Sequence, residues 1–249
     1  MASADSAFDR GNWGMDAPQV AAVSLVTAFA VALWARNASF DRDLACLLIL
    51  QVIGLCLPWR LPRAGRSGAS VWAETLVADI APVGAVVVAA VGNVSWVGAT
   101  GTWQWYAVAP VVGLGLLLIG RTRLTSVFSG ELAFVLGPTR RSHGAARAFS
   151  IAASPAGEEA LYRGPVLLTP HPASLSLLGA AAFVAMHHVL RGSNNRGTVI
   201  VTTVEVVSAV SLLALVQFSG SIYPAVVAHA VNNMPGFITE LQREDVGKS

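Results

Sequence analysis

Three pairs of side chains, each spaced four residues apart, interrupt otherwise apolar stretches of this 249-residue chain: Glu159 with Arg163, Phe183 with His187, and His229 with Asn233. A second acid, Glu158, stands directly before the first pair. On a helix, positions i and i+4 share a face, so Glu159 and Arg163 can form an ion pair in the favourable carboxylate-first order. Glu158 lies about 100° round the helix from Glu159 and cannot share that pairing equally. Spacing therefore commits one carboxylate to the arginine and leaves the other free. A free carboxylate, two imidazoles and a side-chain amide are enough to activate a water and to stabilise an oxyanion, the two needs of acyl-group hydrolysis.

Each feature also has a purely structural reading. Glu159 and Arg163 can be a buried ion pair that only holds the fold. His187, close to the end of its apolar stretch, can be an interfacial histidine, and His229 and Asn233 can be interhelical hydrogen-bonding groups. Glu74, Asp79 and Glu205 also fall in apolar stretches and are read as packing or lumen-facing residues. The second acid, Glu158, is hardest to explain this way, because a further buried carboxylate serves no evident structural need. Register leaves two neighbours in play, since His188 follows His187 and Asn232 precedes Asn233. The four-residue spacing favours Phe183–His187 and His229–Asn233.

What positions these groups follows from composition. The chain is 54% hydrophobic and 12% charged, against roughly 25% charged for an average soluble domain. It cannot cover a water-soluble surface, which points to an all-α, polytopic membrane bundle of about eight transmembrane helices. The apolar segments are Val20–Trp34, Leu44–Leu57, Val71–Val91, Ala107–Gly120, Ala145–Leu168, Ala173–Leu190, Thr198–Phe218 and Ile222–Ile238. Between the fourth and fifth, Leu124–Leu136 is apolar at mixed spacing and reads as an amphipathic segment along the surface. Residues 1–16 form a polar tail, 17–239 a single transmembrane domain with its chemistry in 145–238, and 240–249 a charged tail.

Charge placement sets the orientation. Arg60, Arg63 and Arg66 follow the second segment, Arg121, Arg123, Arg140 and Arg141 the fourth, and Arg191 and Arg196 the sixth. The alternate loops carry none, and the third-to-fourth loop instead holds Trp96 ahead of Trp103, Trp105 and Tyr106, an interfacial aromatic belt. By the positive-inside rule both termini are cytoplasmic, with the plasma (inner) membrane as the expected location. Arg36 and Arg42 break the alternation. The first nineteen residues carry Asp5, Asp9 and Asp16 against Arg10, unlike the basic start of a cleaved signal. The net charge of +2, without a long basic run, excludes nucleic acid as an implied partner. Cys46 and Cys56 sit about 15 Å apart along one helix, too far to bridge, and read as packing thiols.

The ordered set Glu158-Glu159-x-x-x-Arg163, Phe183-x-x-x-His187 and His229-x-x-x-Asn233, one motif per helix, resembles the CPBP family of intramembrane proteases. These include CAAX prenyl endopeptidases and bacteriocin-processing, Abi-type enzymes. The resemblance runs from Glu158 to Asn233 and includes the eight-helix layout; the first half of the chain carries no such motif. It implies a glutamate-dependent peptidase in which Glu158 and His187 activate the attacking water. His229 and Asn233 would stabilise the oxyanion, and Glu159 and Arg163, backed by Phe183, would orient the site. No cofactor is required on this reading. The family is often described as metallo-, and although no HExxH pair occurs here, Glu158, His187 and His229 could form a three-ligand zinc site with an open position. The expected partners are the lipid bilayer and a protein or peptide substrate, membrane-associated or prenylated. The competing functions are a proton-coupled transporter using Glu158, Asp79 and Glu205, and a non-catalytic membrane scaffold. No inverted repeat supports the transporter.

Overall fold

The computed structural model describes residues 17–36, 38–56, 67–92, 101–120, 122–167, 173–191 and 198–243. The arginines of 57–66, Arg121, Arg196, Trp96, residues 1–16 and 244–249, and the side chains of Glu74, Cys56, His188 and Arg191 lie outside the described residues, while residues 240–242, expected in the charged tail, continue the last helix. Everything assigned is helical: α1 Ala17–Ala35, α2 Ser39–Cys56, α3 Gly68–Ala78, α4 Ile80–Val91, α5 Trp103–Ile119, α6 Leu124–Phe128, α7 Glu131–Leu136, α8 Arg141–Tyr162, a 3₁₀ turn Gly164–Leu167, α9 Ala173–Arg191, α10 Thr198–Ser219 and α11 Tyr223–Gln242. All eight expected apolar segments fall on helix.

Three segments are not continuous, and one of them, the fifth, leaves the α-helix at Arg163 and ends in the 3₁₀ turn. The third divides at Asp79 into α3 and α4. Pro82 explains the break, because it has no N–H to offer the carbonyl of Ala78 and its ring crowds that carbonyl. The surface segment divides at Gly130, whose φ of 77° reverses the chain between α6 and α7. Val127 and Ala133 turn inward, while Phe128, Phe134 and Val135 stay exposed.

The chain is built around α8 and α11, which pack on each other; α4 and α3 cover α8 from one side and α5 covers α11 from the other. Helices α1 and α2 form a hairpin that leans on α9. Small residues permit the closest approaches. A Cβ built on Gly157 would stand 2.4 Å from Pro82 Cβ and 2.5 Å from its carbonyl carbon, and one on Gly113 would stand 2.5 Å from the Ala228 oxygen. Only glycine lets backbone meet backbone at these crossings. The core around Tyr162 joins four helices: its ring stacks on Phe29, meets Phe183 edge-on, and its hydroxyl donates to Gln51 Oε1 at 2.7 Å.

The outer surface keeps many large apolar side chains exposed, among them Val91, Val111, Leu118 and Phe218. Among the described residues one helical stretch, Thr202–Ser219, is long and apolar enough to cross a membrane, and Gln19–Ala35, Ile80–Val91, Trp103–Ile119 and Ala173–His187 are apolar over shorter lengths. At the α1–α2 turn Arg36 Nε donates to buried Asp41 at 2.6 Å, so one of the two arginines that break the charge alternation has its own counter-ion. Cys46 is exposed rather than packed. It lies on the face of α2 away from Leu44, Ala45 and Leu48, which are buried.

Candidate active site

The acidic pair sits in the last turn and a half of α8. Pro155, three residues before Glu158, removes one intrahelical bond, and the helix stops at Tyr162. Arg163 is the C-cap, with its N–H on the Glu159 carbonyl at 3.0 Å. Its side chain folds back so that Nη1 donates to Glu159 Oε1 at 2.7 Å, both residues being essentially inaccessible. The guanidinium also lies over the Phe183 ring, 4.4 Å from its centre, a cation–π contact in a desolvated setting.

The same Glu159 oxygen accepts a second bond, from His229 Nδ1 at 2.9 Å. Glu159 is therefore not committed to Arg163 alone, as spacing had indicated; it also fixes the imidazole of α11. A carboxylate accepts, so Nδ1 carries the proton and Nε2 points outward. His187 is held in the same way. Its Nδ1 is 3.0 Å from the Phe183 carbonyl one turn back, which again sends Nε2 outward. Both Nε2 atoms meet Glu158: His187 at 3.3 Å and His229 at 3.8 Å from Oε2. Phe183 buttresses both rings, with centroids 4.1 Å from His187 and 6.1 Å from His229.

Asn233 reaches the site less directly. Its Nδ2 donates to Ser154 Oγ at 3.4 Å, one turn before Glu158 on α8. With Asn232, Phe183, His187, His229 and Glu205 it lines a cavity of about 40 Å³. Two residues of interest went unassigned in the sequence. Ser150 and Ser154 lie eight and four residues before Glu158, so one stripe of α8 is polar throughout; Ser150 donates to Asp79 Oδ1 at 3.1 Å, at the α3–α4 break. Glu205, read as a packing or lumen-facing residue, is buried on the cavity wall. A four-residue period carried backwards along α8 from Glu158 would have found both serines.

For zinc the donor types are suitable, and held Nδ1 atoms are a usual outer-sphere arrangement. Glu158 Oε2 stands 3.3 Å from His187 Nε2 and 3.8 Å from His229 Nε2, so these three residues would hold the ion, although among the described residues no group of three His, Cys, Asp or Glu has the full arrangement of a metal site. No step below passes through one.

A buried carboxylate flanked by two oriented imidazoles inside a helical bundle is the kind of site that hydrolytic enzymes use. Residues 145–235, which hold all three motifs, match the family model for type II CAAX prenyl endopeptidase, Rce1-like, and form an Rce1-like domain. That family is one of membrane proteases acting on protein or peptide substrates, the family the motifs resemble. Neither the curated proteins nor the solved structures contain a match to this chain.

Proposed function

We propose that this protein is an intramembrane endopeptidase that hydrolyses a peptide bond of a membrane-associated or prenylated protein. The observation that carries the reading is the convergence of His187 Nε2 and His229 Nε2 on Glu158 Oε2, while each Nδ1 is held from behind. Two imidazoles so aimed have a reacting group to serve; a packing role needs no such aim.

In the proposed reaction a water beside Glu158 and His187 adds through its oxygen to the scissile carbonyl carbon, and its proton passes to the Glu158 carboxylate. The carbonyl π electrons move onto oxygen. His229, as an imidazolium, donates from Nδ1 to Glu159 and from Nε2 to that oxyanion. Asn233 has two amide hydrogens, one used by Ser154 and one available to the same oxygen. Collapse re-forms the carbonyl and breaks the C–N bond, and the amine nitrogen takes the proton back from Glu158. Protons and electrons balance without a metal or cofactor.

The bilayer setting rests on the exposed apolar surface and on the spacing of the arginine loops. On this reading about eight helices cross the plasma membrane and both termini are cytoplasmic. The direct test compares membrane proteomes of cells carrying the wild-type protein with cells carrying Glu158→Gln. The expected result is substrates that accumulate uncut in the variant. Cleavage retained in full by Glu158→Gln would sink the proposal.

A further inference from the structure

Hydrolysis consumes one water per bond cut, and at an active site among apolar helices, with His187 21% and Glu158 15% exposed, solvent reaches the reacting groups only in part. Beside the two imidazoles lies the cavity of about 40 Å³ noted above, larger than the roughly 10–15 Å³ that one water requires. Its far wall is α10, where Glu205, Ser208 and Leu212, at i, i+3 and i+7, form a single inward stripe. Glu205 and Ser208 are both buried, in the described helix best suited to crossing a membrane. The opposite wall supplies Asn232, Asn233 and the two histidines. A small buried space lined by a carboxylate, a hydroxyl, two amides and two imidazoles offers more than the two to four partners an ordered water needs.

We propose that this cavity is a water-holding site that supplies the hydrolytic centre, and that Glu205 anchors it. The inference rests on the hydrolytic reading of Glu158, but it concerns a residue outside the three motifs. The tight turn between α10 and α11 sets the geometry. Ser221 Oγ accepts from the Tyr223 N–H at 3.3 Å and the chain reverses at Gly220, so the two helices run antiparallel. Leu212 then comes level with His229 and Ser208 with Asn233, and Glu205 lies about one turn further along. The cavity thus lies between the imidazoles and amides on one side and the polar stripe of α10 on the other. Glu205 accepts hydrogen bonds from water and takes no proton in the reaction. It is a positioning residue, acting on the site through the solvent it retains.

The test uses the full-length protein in detergent or nanodiscs, with three readouts. A structure at a resolution that shows ordered solvent should place water on the Glu205 carboxylate within the cavity. With an internally quenched prenylated peptide ending in a CAAX sequence, Glu205→Leu should lower kcat on the order of 10–100-fold, the scale of losing an outer hydrogen-bonded partner. KM should not change, and Glu205→Gln should restore most of the rate. The melting temperature of Glu205→Gln, which keeps a hydrogen-bonding amide in place of the carboxylate, should stay level with the wild type, so that its rate and that of Glu205→Leu are read against a folded reference. A cavity without ordered water in the wild-type structure overturns the proposal, as does wild-type kcat in Glu205→Leu. The solvent readout needs no substrate and decides the matter if the leucine variant fails to fold. Glu158→Gln is measured alongside: normal cleavage by that variant defeats the hydrolytic reading and leaves the solvent result standing.

Discussion

His229 Nδ1 lies 2.9 Å from Glu159 Oε1, and the same oxygen receives Arg163 Nη1 at 2.7 Å. One carboxylate oxygen thus joins the C-terminal cap of α8 to the middle of α11 and sets which way an imidazole faces. The neighbouring acid, Glu158, has none of these duties and meets only the outward edges of the two rings.

The two acids should therefore respond differently to the same substitution. Glu158→Gln should remove cleavage by about 10²–10⁴-fold, the usual worth of a positioned general base, with a thermal midpoint close to wild type. Glu159→Gln leaves the Arg163 guanidinium buried without its counter-charge. It should cost stability by about 3–5 kcal/mol, read from a denaturation series. Equal destabilisation by the two variants would contradict this division.

Asn233→Ala should lower kcat by about 10²–10³-fold with little change in KM, as expected for loss of one oxyanion donor. Ser154→Ala should have a much smaller effect, because it removes only the 3.4 Å contact that steadies the amide. Steady-state kinetics on the same substrate compare the two. A serine variant as damaged as the asparagine variant would show that Ser154 itself meets the substrate.

Gly157→Ala places a methyl 2.4–2.6 Å from three atoms of Pro82, two of them backbone. It should cost about 1–3 kcal/mol through overpacking and should lower activity by displacing Glu158. Gly115→Ala, whose new methyl would meet nothing within 4 Å, is the control and should melt with the wild type. Thermal denaturation of the two proteins decides it.

Removal of metal should leave the enzyme working. Purified protein should contain far less than one equivalent of zinc by elemental analysis, and prolonged dialysis against a chelator should leave kcat unchanged. Activity lost on chelation and restored by zinc alone would make Glu158, His187 and His229 ligands and would replace the mechanism proposed above.

Much of this site could be read from residue spacing, because a helix turns chemistry into periodicity. Glu159 and Arg163 do pair, and His187 does present its ring beside Phe183. Contacts between helices were less legible, since they depend on how the helices cross. Nothing in the local sequence of α11 says that His229 will take Glu159 as its partner, and nothing in α10 says that Glu205 faces a cavity and not lipid. The break at Asp79 lies between these cases. Pro82 was a visible local signal, but the unbroken hydropathy from Val71 to Val91 concealed it. The exposed Cys46 shows the same limit, because hydropathy marks a helix as apolar without saying which face looks inward.

The crossing of Gly157 and Pro82 has a consequence for how this protein can vary. Where a side chain blocks a larger neighbour, a second change can trim the obstacle and the pair can drift together. Here two of the three nearest atoms belong to the Pro82 main chain, which no substitution removes. Position 157 has no partner able to compensate for it, so any lineage that keeps this helix crossing must keep its glycine.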